Sequence, residues 1–213
     1  MKTRLLMCVA LLVAVSGVAP AQEATKSKTA GAGGAKASAA QPKMDPQAMA
    51  EMMAKMAAPG PSHERFKQLA GEWNLTVKWT MDPSQPMQVT TSTSTITTLM
   101  DGRYCQEQSA GEMMGKPFQG MGLTGYDNVL KKFVSVWIDN MGTGIMSSQG
   151  TADASGNVIN WTAESPDPAT GKMTKYRQVT RYLDDNHHVF EMYVKSPDGK
   201  EFKTMEIAYE RKM

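Results

Sequence analysis

Residues 71–81 read Gly-Glu-Trp-Asn-Leu-Thr-Val-Lys-Trp-Thr-Met, and this stretch decides the fold class. Its apolar side chains recur at every second position: Trp73, Leu75, Val77, Trp79 and Met81. Because successive side chains of a strand point to opposite faces, this alternation predicts a half-buried β-strand. The apolar spacing before Gly71 is helical, so the change of period marks the start of a β domain.

Strand-like segments and turns then alternate as far as the C-terminus. Asp101-Gly102 and Pro197-Asp198-Gly199 are typical of the turns between them. Ten strands are expected, near residues 72–81, 87–100, 103–110, 117–126, 132–139, 145–151, 157–164, 172–183, 188–195 and 202–211. Short turns make consecutive strands antiparallel neighbours, and closure hides the two edges of such a meander best. The sequence predicts an all-β fold, a single up-and-down antiparallel β-barrel over residues 71–213, with a two-sheet sandwich as the alternative.

The N-terminal residues have the organisation of a secretory signal. Lys2 and Arg4 precede an apolar segment that ends in Ala19-Pro20-Ala21, which predicts a signal peptide over residues 1–21. Residues 22–44 are small and polar, and they are predicted to be a disordered linker because they have little apolar surface to bury. The expected location is secreted or periplasmic.

Two helices are predicted ahead of the barrel. Residues 45–58 form a methionine-rich helix with Asp45 as its N-cap, and a shorter helix over 62–70 closes one end of the barrel domain, which spans 61–213. The methionines share one helical face: Met49, Met52, Met53 and Met56. Thioethers bind Cu(I), but an apolar face that packs on the domain or on a partner is the favoured interpretation.

Two resemblances follow from short motifs. Gly71-x-Trp73 at the first strand, with Arg211 near the end of the last, resembles the calycin pattern of lipocalins and fatty-acid-binding proteins. That resemblance implies that the tryptophan packs in the closed end of the barrel with the arginine lying across it.

Several phrases together resemble the bacterial domain of unknown function 1579 family. They are Pro59-Gly60-Pro61-x-His63, Gly71-Glu72-Trp73, Met113-Met114-Gly115-x-Pro117-Phe118-x-Gly120, Gly125-Tyr126-Asp127-Asn128, Trp137-Ile138-Asp139, Asp167-Pro168-x-x-Gly171-Lys172, Glu191-Met192-Tyr193 and Met205-Glu206-Ile207-x-Tyr209. This resemblance covers nearly all of residues 59–212, and it implies relatives but no activity.

Composition and motifs argue against several functions. Without Lys2 and Arg4 the chain has 21 basic and 21 acidic residues, a balance that disfavours nucleic-acid binding. No second apolar segment is long enough for a membrane span. Gly120-x-Gly122-x-x-Gly125 lacks the strand–helix context of a dinucleotide site, so no cofactor is expected. The histidine spacing predicts no metal site, and Cys105 is interpreted as a small buried side chain.

Polar residues within apolar strands are the candidate ligand-binding residues: Arg103, Glu107, Trp137, Asp139, Arg177, Glu191 and Tyr193. If they point inward they line a cavity, and if they point outward they belong to the solvated face. Several strands are apolar on both faces, so both interpretations stay open. Arg177 or Arg103 could receive a carboxylate head group.

The leading hypothesis is a barrel that binds a small apolar or amphipathic molecule and is not an enzyme. The first alternative is an isomerase or cyclase that acts on a lipid-like substrate with inward Glu, Arg or Tyr groups. The second is a non-catalytic module that contacts a partner in the cell envelope through its methionine-rich helix.

Processing gives the first testable prediction. The exported protein should begin at Gln22 or its cyclised form, because Ala19-x-Ala21 is the expected cleavage site. Intact-mass measurement of the exported chain tests this. A mass that still includes Lys2 and Arg4 would contradict cleavage.

Overall fold

A computed structural model describes residues 45–167, 170–196 and 198–213. The predicted signal peptide and linker lie outside the described residues. The elements are α1 Pro46–Ala57, α2 Pro61–Leu69, β1 Gly71–Trp79, β2 Gln88–Leu99, β3 Tyr104–Met113, β4 Lys116–Asp127, β5 Lys132–Asp139, β6 Met146–Ala152, β7 Val158–Pro166, β8 Met173–Tyr182, β9 His187–Lys195 and β10 Glu201–Arg211. None of the described helices combines the length and the apolarity that a membrane crossing needs.

The ten strands form one closed antiparallel barrel in which each strand pairs with its neighbours in sequence and β10 pairs with β1. Trp73 sits in the closing strand pair, opposite Ser94 of β2 and Arg211 of β10. The predicted single up-and-down barrel is therefore confirmed, and the two-sheet sandwich is wrong.

Strand pairing determines which residues face inward on every strand of the barrel. In β1 the apolar members of the alternation are buried and most of the residues between them are exposed. Residues directly opposite each other in an antiparallel pair share a face. The inward set on the neighbouring strands is thus fixed by register, from Ser94 and Ile96 on β2 to Tyr209 on β10.

Helix α2 closes the barrel end at which β1 begins. Its Phe66 is buried and meets Phe133 of β5 edge-on, with ring centroids 6.2 Å apart. Its His63 accepts a hydrogen bond at Nδ1 from the backbone N–H of Gly60 and packs edge-on against Tyr126 of β4. We call this the closed end, and the opposite end the open end.

Trp73 and Arg211 join the helix to the closing strands. The Arg211 guanidinium carbon lies 4.2 Å from the Trp73 ring centre, as the calycin resemblance implies. The guanidinium also donates to the carbonyl oxygens of Gln68, Ala70 and Asp185, while Trp73 Nε1 donates to the carbonyl of Leu69 at 2.9 Å. One arginine thereby satisfies carbonyls that the end of α2 leaves without helical partners.

In the part of the chain that the structure describes, the hydrogen bonds between helix α1 and the barrel all lie at the C-terminal end of the helix. Asp45 caps its N-terminus, accepting a hydrogen bond from Ala48 N at 3.2 Å, as predicted. Asn128 donates to the carbonyls of Met56 and Ala58, and Arg103 Nε donates to the carbonyl of Ala57. The four methionines of its apolar face remain 39–61% exposed, so in the described chain that face does not pack on the domain.

The closure contact gives the second prediction. Trp73→Ala should lower the free energy of unfolding by about 3–5 kcal/mol, because it removes a large core side chain. A double-mutant cycle with Arg211→Ala should show coupling of about 1–2 kcal/mol from the desolvated cation–π contact.

Chemical denaturation of the four proteins measures this coupling. A cycle of Trp73→Ala with Arg177→Ala is the control, since Arg177 lies on the outer wall and should give additive effects. Additivity in the Trp73–Arg211 cycle would contradict the closure account.

Candidate functional site

The barrel interior, which we call the lumen, is packed at the closed end and accessible toward the open end. Phe66, Trp73, Phe133 and Ile159 are at most 5% exposed at the closed end. Inward-facing side chains nearer the open end are only partly buried: Phe118, Trp137, Met146, Tyr176, Met192, Val194, Phe202 and Met205. An inward side chain can keep accessible surface only if water-sized molecules reach it. The lumen is therefore an open cup with a largely apolar wall.

Two glycines let Trp137 lie along the wall instead of crossing the lumen. Trp137 pairs with Gly122 of β4, and a Cβ added at Gly120 would lie 2.3 Å from Cζ2 of the indole. The indole Nε1 donates to Asp139 Oδ2 at 2.9 Å, which fixes the ring in this orientation. Glycine at these two positions allows the close approach of the aromatic side chain to β4.

Glu107 lies deep in the lumen at the centre of a hydroxyl cluster. Its Oε1 accepts hydrogen bonds from Ser94 Oγ at 2.8 Å, Ser109 Oγ at 3.0 Å and Tyr209 OH at 3.1 Å. Its Oε2 has no hydrogen-bond partner among the described residues, and the residue keeps some accessible surface. Burial raises the pKa of the Glu107 carboxyl, and the hydrogen bonds from the three hydroxyls partly oppose that rise.

An aromatic layer supports the Glu107 cluster from the closed end. His188 stacks on Tyr209 with ring centroids 4.1 Å apart and meets Trp73 edge-on at 4.6 Å. Burial, assisted by the charge of Arg211, lowers the pKa of His188 to about 3, so its ring is neutral at ordinary pH. Burial followed by the charge of Glu107 raises the pKa of Tyr209, so its hydroxyl stays protonated and remains a donor.

Cys105 faces the same interior and is 8% exposed. Burial, followed by the nearby Glu107 carboxylate, raises the pKa of its thiol to about 12. Because the thiolate is the nucleophilic form, burial disfavours nucleophilic chemistry at this cysteine.

Two inward polar atoms nearer the open end have no partner within the described chain. Trp79 Nε1 and Thr90 Oγ1 are both buried and unpaired. They lie on adjacent strands, since Thr90 pairs with Val77, two residues before Trp79. A buried polar group without a hydrogen bond is costly, and both atoms are closed off from the lumen by the side chains around them, so they lower the stability of this part of the wall.

The structure separates the candidate residues into two groups. Glu107, Trp137 and Asp139 face the lumen on β3 and β5 and belong to one wall. Arg103 lies outside it, in the closed-end turn, where it donates to the carbonyl of Met100 and holds α1.

The remaining three candidates lie on the outer face of β8 and β9. Arg177 pairs with Glu201 at 2.6 Å and covers the Tyr193 ring at 3.8 Å. Glu191 is paired with Lys203 and Arg181. These side chains stabilise the outer wall, and neither Arg177 nor Arg103 can receive a head group inside the barrel.

Sequence reasoning missed the partners of Glu107. Ser94, Ser109 and Tyr209 come from β2, β3 and β10, and only register brings them together. A signal was present in the small hydroxyl residues at inward positions of β2 and β3, but their significance depends on knowing which carboxylate they face.

The histidines are distributed over different contacts. His63 caps α2, His187 pairs with Asp184 at 2.9 Å, and His188 is stacked in the core. Across the described ranges, no three His, Cys, Asp or Glu side chains are grouped as a metal site would require.

The model of a family described as protein of unknown function (DUF1579) matches residues 58–211. The chain belongs to this family. No protein of curated function matches it. The family's description names no activity, so the match supports the fold and the kinship only.

Solved structures show similar barrels at low identity. Rv2717c from M. tuberculosis is 14% identical with a TM-score of 0.53, and the match covers 73% of this chain and all of that one. A redesigned beta barrel is 11% identical with a TM-score of 0.37, covering 70% and 95%. A DUF3598 protein of unknown function from Nostoc punctiforme is 6% identical with a TM-score of 0.21, covering 72% and 100%. The first similarity supports the fold, and the other two carry no argument.

The buried histidine gives the third prediction. The folded pKa of His188, about 3, lies below its ordinary value of 6.5, so protons bind the unfolded chain preferentially. Its contribution to stability is complete above pH 6.5 and falls by up to about 1.4 kcal/mol per pH unit as the pH drops toward 3.

His188→Phe should therefore flatten the acid loss of stability between pH 6.5 and 3, as measured by urea unfolding at a series of pH values. His187→Phe changes the exposed neighbour and should keep the slope of the unmodified protein. Equal slopes for the His188 variant and the unmodified protein would show that His188 is not buried in its neutral form.

Proposed function

We propose that this protein is a secreted or periplasmic, calycin-like binding protein that takes a small apolar or amphipathic molecule into the lumen of its barrel. The observation that carries the proposal is the accessible, largely apolar wall inside a barrel closed at one end. Small-molecule sites are typically concave and apolar, with a few convergent polar groups. The extracytoplasmic location rests on the signal-like residues 1–21.

The lumen offers both kinds of contact. Phe118, Tyr176 and Phe202 supply apolar and aromatic surface near the open end. Glu107 Oε2 supplies a polar atom that no described residue satisfies. A molecule with an apolar body and one polar atom would bury the aromatic surface and pair with this oxygen.

Catalysis is the second candidate, and one contact favours it. Acid–base chemistry needs two titratable groups at one place, and Glu107 and Tyr209 are hydrogen-bonded inside the accessible lumen. Burial raises the pKa of both groups, and the Tyr209 hydroxyl donates to a carboxylate oxygen that also accepts from Ser94 and Ser109. That pairing suits orientation of a bound group better than proton abstraction.

The interaction-module alternative has its own observation. The wall of β2–β5 carries a depression of about 620 Å³. It is bordered by outward residues and by a few residues of the inner face and the following turn: Thr93, Thr95, Gln108, Ala110, Gln119, Met121 and Ile138, with Ser109, Gly120, Asp139 and Asn140. Nothing in the described chain covers this wall. It becomes the better candidate if the lumen proves inaccessible.

A matched pair of variants tests the binding function. Thr90→Trp places an indole in the lumen, whereas Thr91→Trp places the same side chain on the exposed outer face of the same strand. The unmodified protein should bind Nile red with a rise in fluorescence. The Thr90 variant should lose at least about tenfold in affinity because the added ring fills the site, and the Thr91 variant should bind normally.

Circular dichroism and thermal unfolding of both variants control for folding. Absence of dye binding by the unmodified protein, or equal binding by two folded variants, would overturn the proposal and favour the outer wall.

A further inference from the structure

We propose that the lumen selects amphiphiles whose polar head donates hydrogen bonds, an amine or a hydroxyl, and discriminates against carboxylates. This inference rests on the ligand-binding function proposed above and specifies the chemistry of the same site. It is the opposite of the carboxylate preference that an arginine-lined cavity would produce.

Among the described residues, acidic side chains, and no free cation, lie at the depth of Glu107 in the lumen. The acidic residues at inward positions of the described strands are Glu107 and Asp139. The basic ones are Arg211, which is engaged with three carbonyls and the Trp73 ring, and Lys116, an exposed residue that begins β4 at the open end. A carboxylate head that reaches the depth of Glu107 therefore meets no cation able to offset its desolvation.

The two carboxylate oxygens of Glu107 differ in their hydrogen bonding. Three hydroxyl donors converge on Oε1, so this oxygen is saturated and the carboxyl group is held in one orientation. Oε2 is left as an acceptor on the accessible side. An ammonium or hydroxyl group supplies the donor that this oxygen lacks, and a carboxylate cannot.

The Trp137 indole lies beside Glu107 on the lumen wall. Glu107 pairs with Gly122, which has no side chain, and the next inward group on this side is the Trp137 indole. A Cβ at Gly122 would lie 3.1 Å from the indole and 3.8 Å from Glu107 Cβ. The glycine lets the indole lie closely against β4 beside Glu107, and Trp137 keeps accessible surface, so an alkyl chain can lie on the exposed part of the indole while its head reaches Glu107.

The test compares three probes of equal chain length. Decylamine, decanol and decanoate are each titrated into the Nile red complex of the unmodified protein at pH 7, below the critical micelle concentration of each probe, and displacement of the dye is measured. We expect the amine and the alcohol to displace the dye at concentrations roughly tenfold or more below those of decanoate, because the carboxylate is both unpaired and repelled by Glu107.

Glu107→Gln then assigns the preference to one residue. The substitution should lower the affinity for decylamine by about tenfold and raise the affinity for decanoate. The affinity for decanol should stay within about threefold, since an amide retains hydrogen bonding but has no charge. Glu112→Gln is the matched control, because Glu112 is an exposed carboxylate on the outer face of the same strand.

The outcomes separate the two proposals. If Nile red fails to bind, or binds without sensitivity to Thr90→Trp, the lumen site itself is wrong. If the dye binds in the lumen and decanoate competes as well as the amine and the alcohol, only the head-group inference is overturned. The probe order on the unmodified protein decides this even if Glu107→Gln does not fold.

Discussion

Closure of the sheet between β1 and β10 is the constraint on which the rest of the molecule depends. Trp73 lies at the start of the closing pair, opposite Ser94 on one side and Arg211 on the other. Arg211 covers its ring and, with the same guanidinium, holds the carbonyls at the end of α2. The closed pairing of the strands and helix α2 at the closed end are thus joined at one cation–aromatic contact. Neither should form independently of the other.

The chemistry of the lumen follows from that closure. Register brings Ser94 and Tyr209, which flank the closing strand β1, to the same oxygen of Glu107. The aromatic layer beneath them excludes water, which raises the pKa of Glu107 and keeps the neighbouring His188 neutral. Above this layer the wall is apolar and accessible, and the charges of β8–β10 pair with each other on the outside. The barrel therefore separates an acidic interior from a salt-bridged exterior.

Much of the fold could be predicted from the sequence because its signals are local. The two-residue period of residues 71–81 and the regular turns define ten strands, and closure is the physical solution to their two edges. Trp73 and Arg211 could be paired through the calycin resemblance. The helices agree with the structure to within one residue, because Asp45 and the Pro59-Gly60-Pro61 break are also local signals.

The site was less predictable because it depends on which face of each strand points inward. On β8 and β9 both faces carry large side chains, so Arg177, Glu191 and Tyr193 could not be distinguished from lumen residues until pairing with β7 and β10 was known. The hydroxyl cluster around Glu107 joins residues more than 100 positions apart, such as Tyr209, and no local pattern records that contact.

The central claim is that an accessible lumen lies between Glu107 and the open end. Crystals of the chain from Gln22 onward, soaked with 10-bromodecanol, would test it most directly by anomalous diffraction. The account predicts one bromine peak inside the barrel near the open end, with the hydroxyl within hydrogen-bond distance of Glu107 Oε2. Side chains that meet across the barrel and leave no space, with bromine bound only on the outer wall, would contradict it.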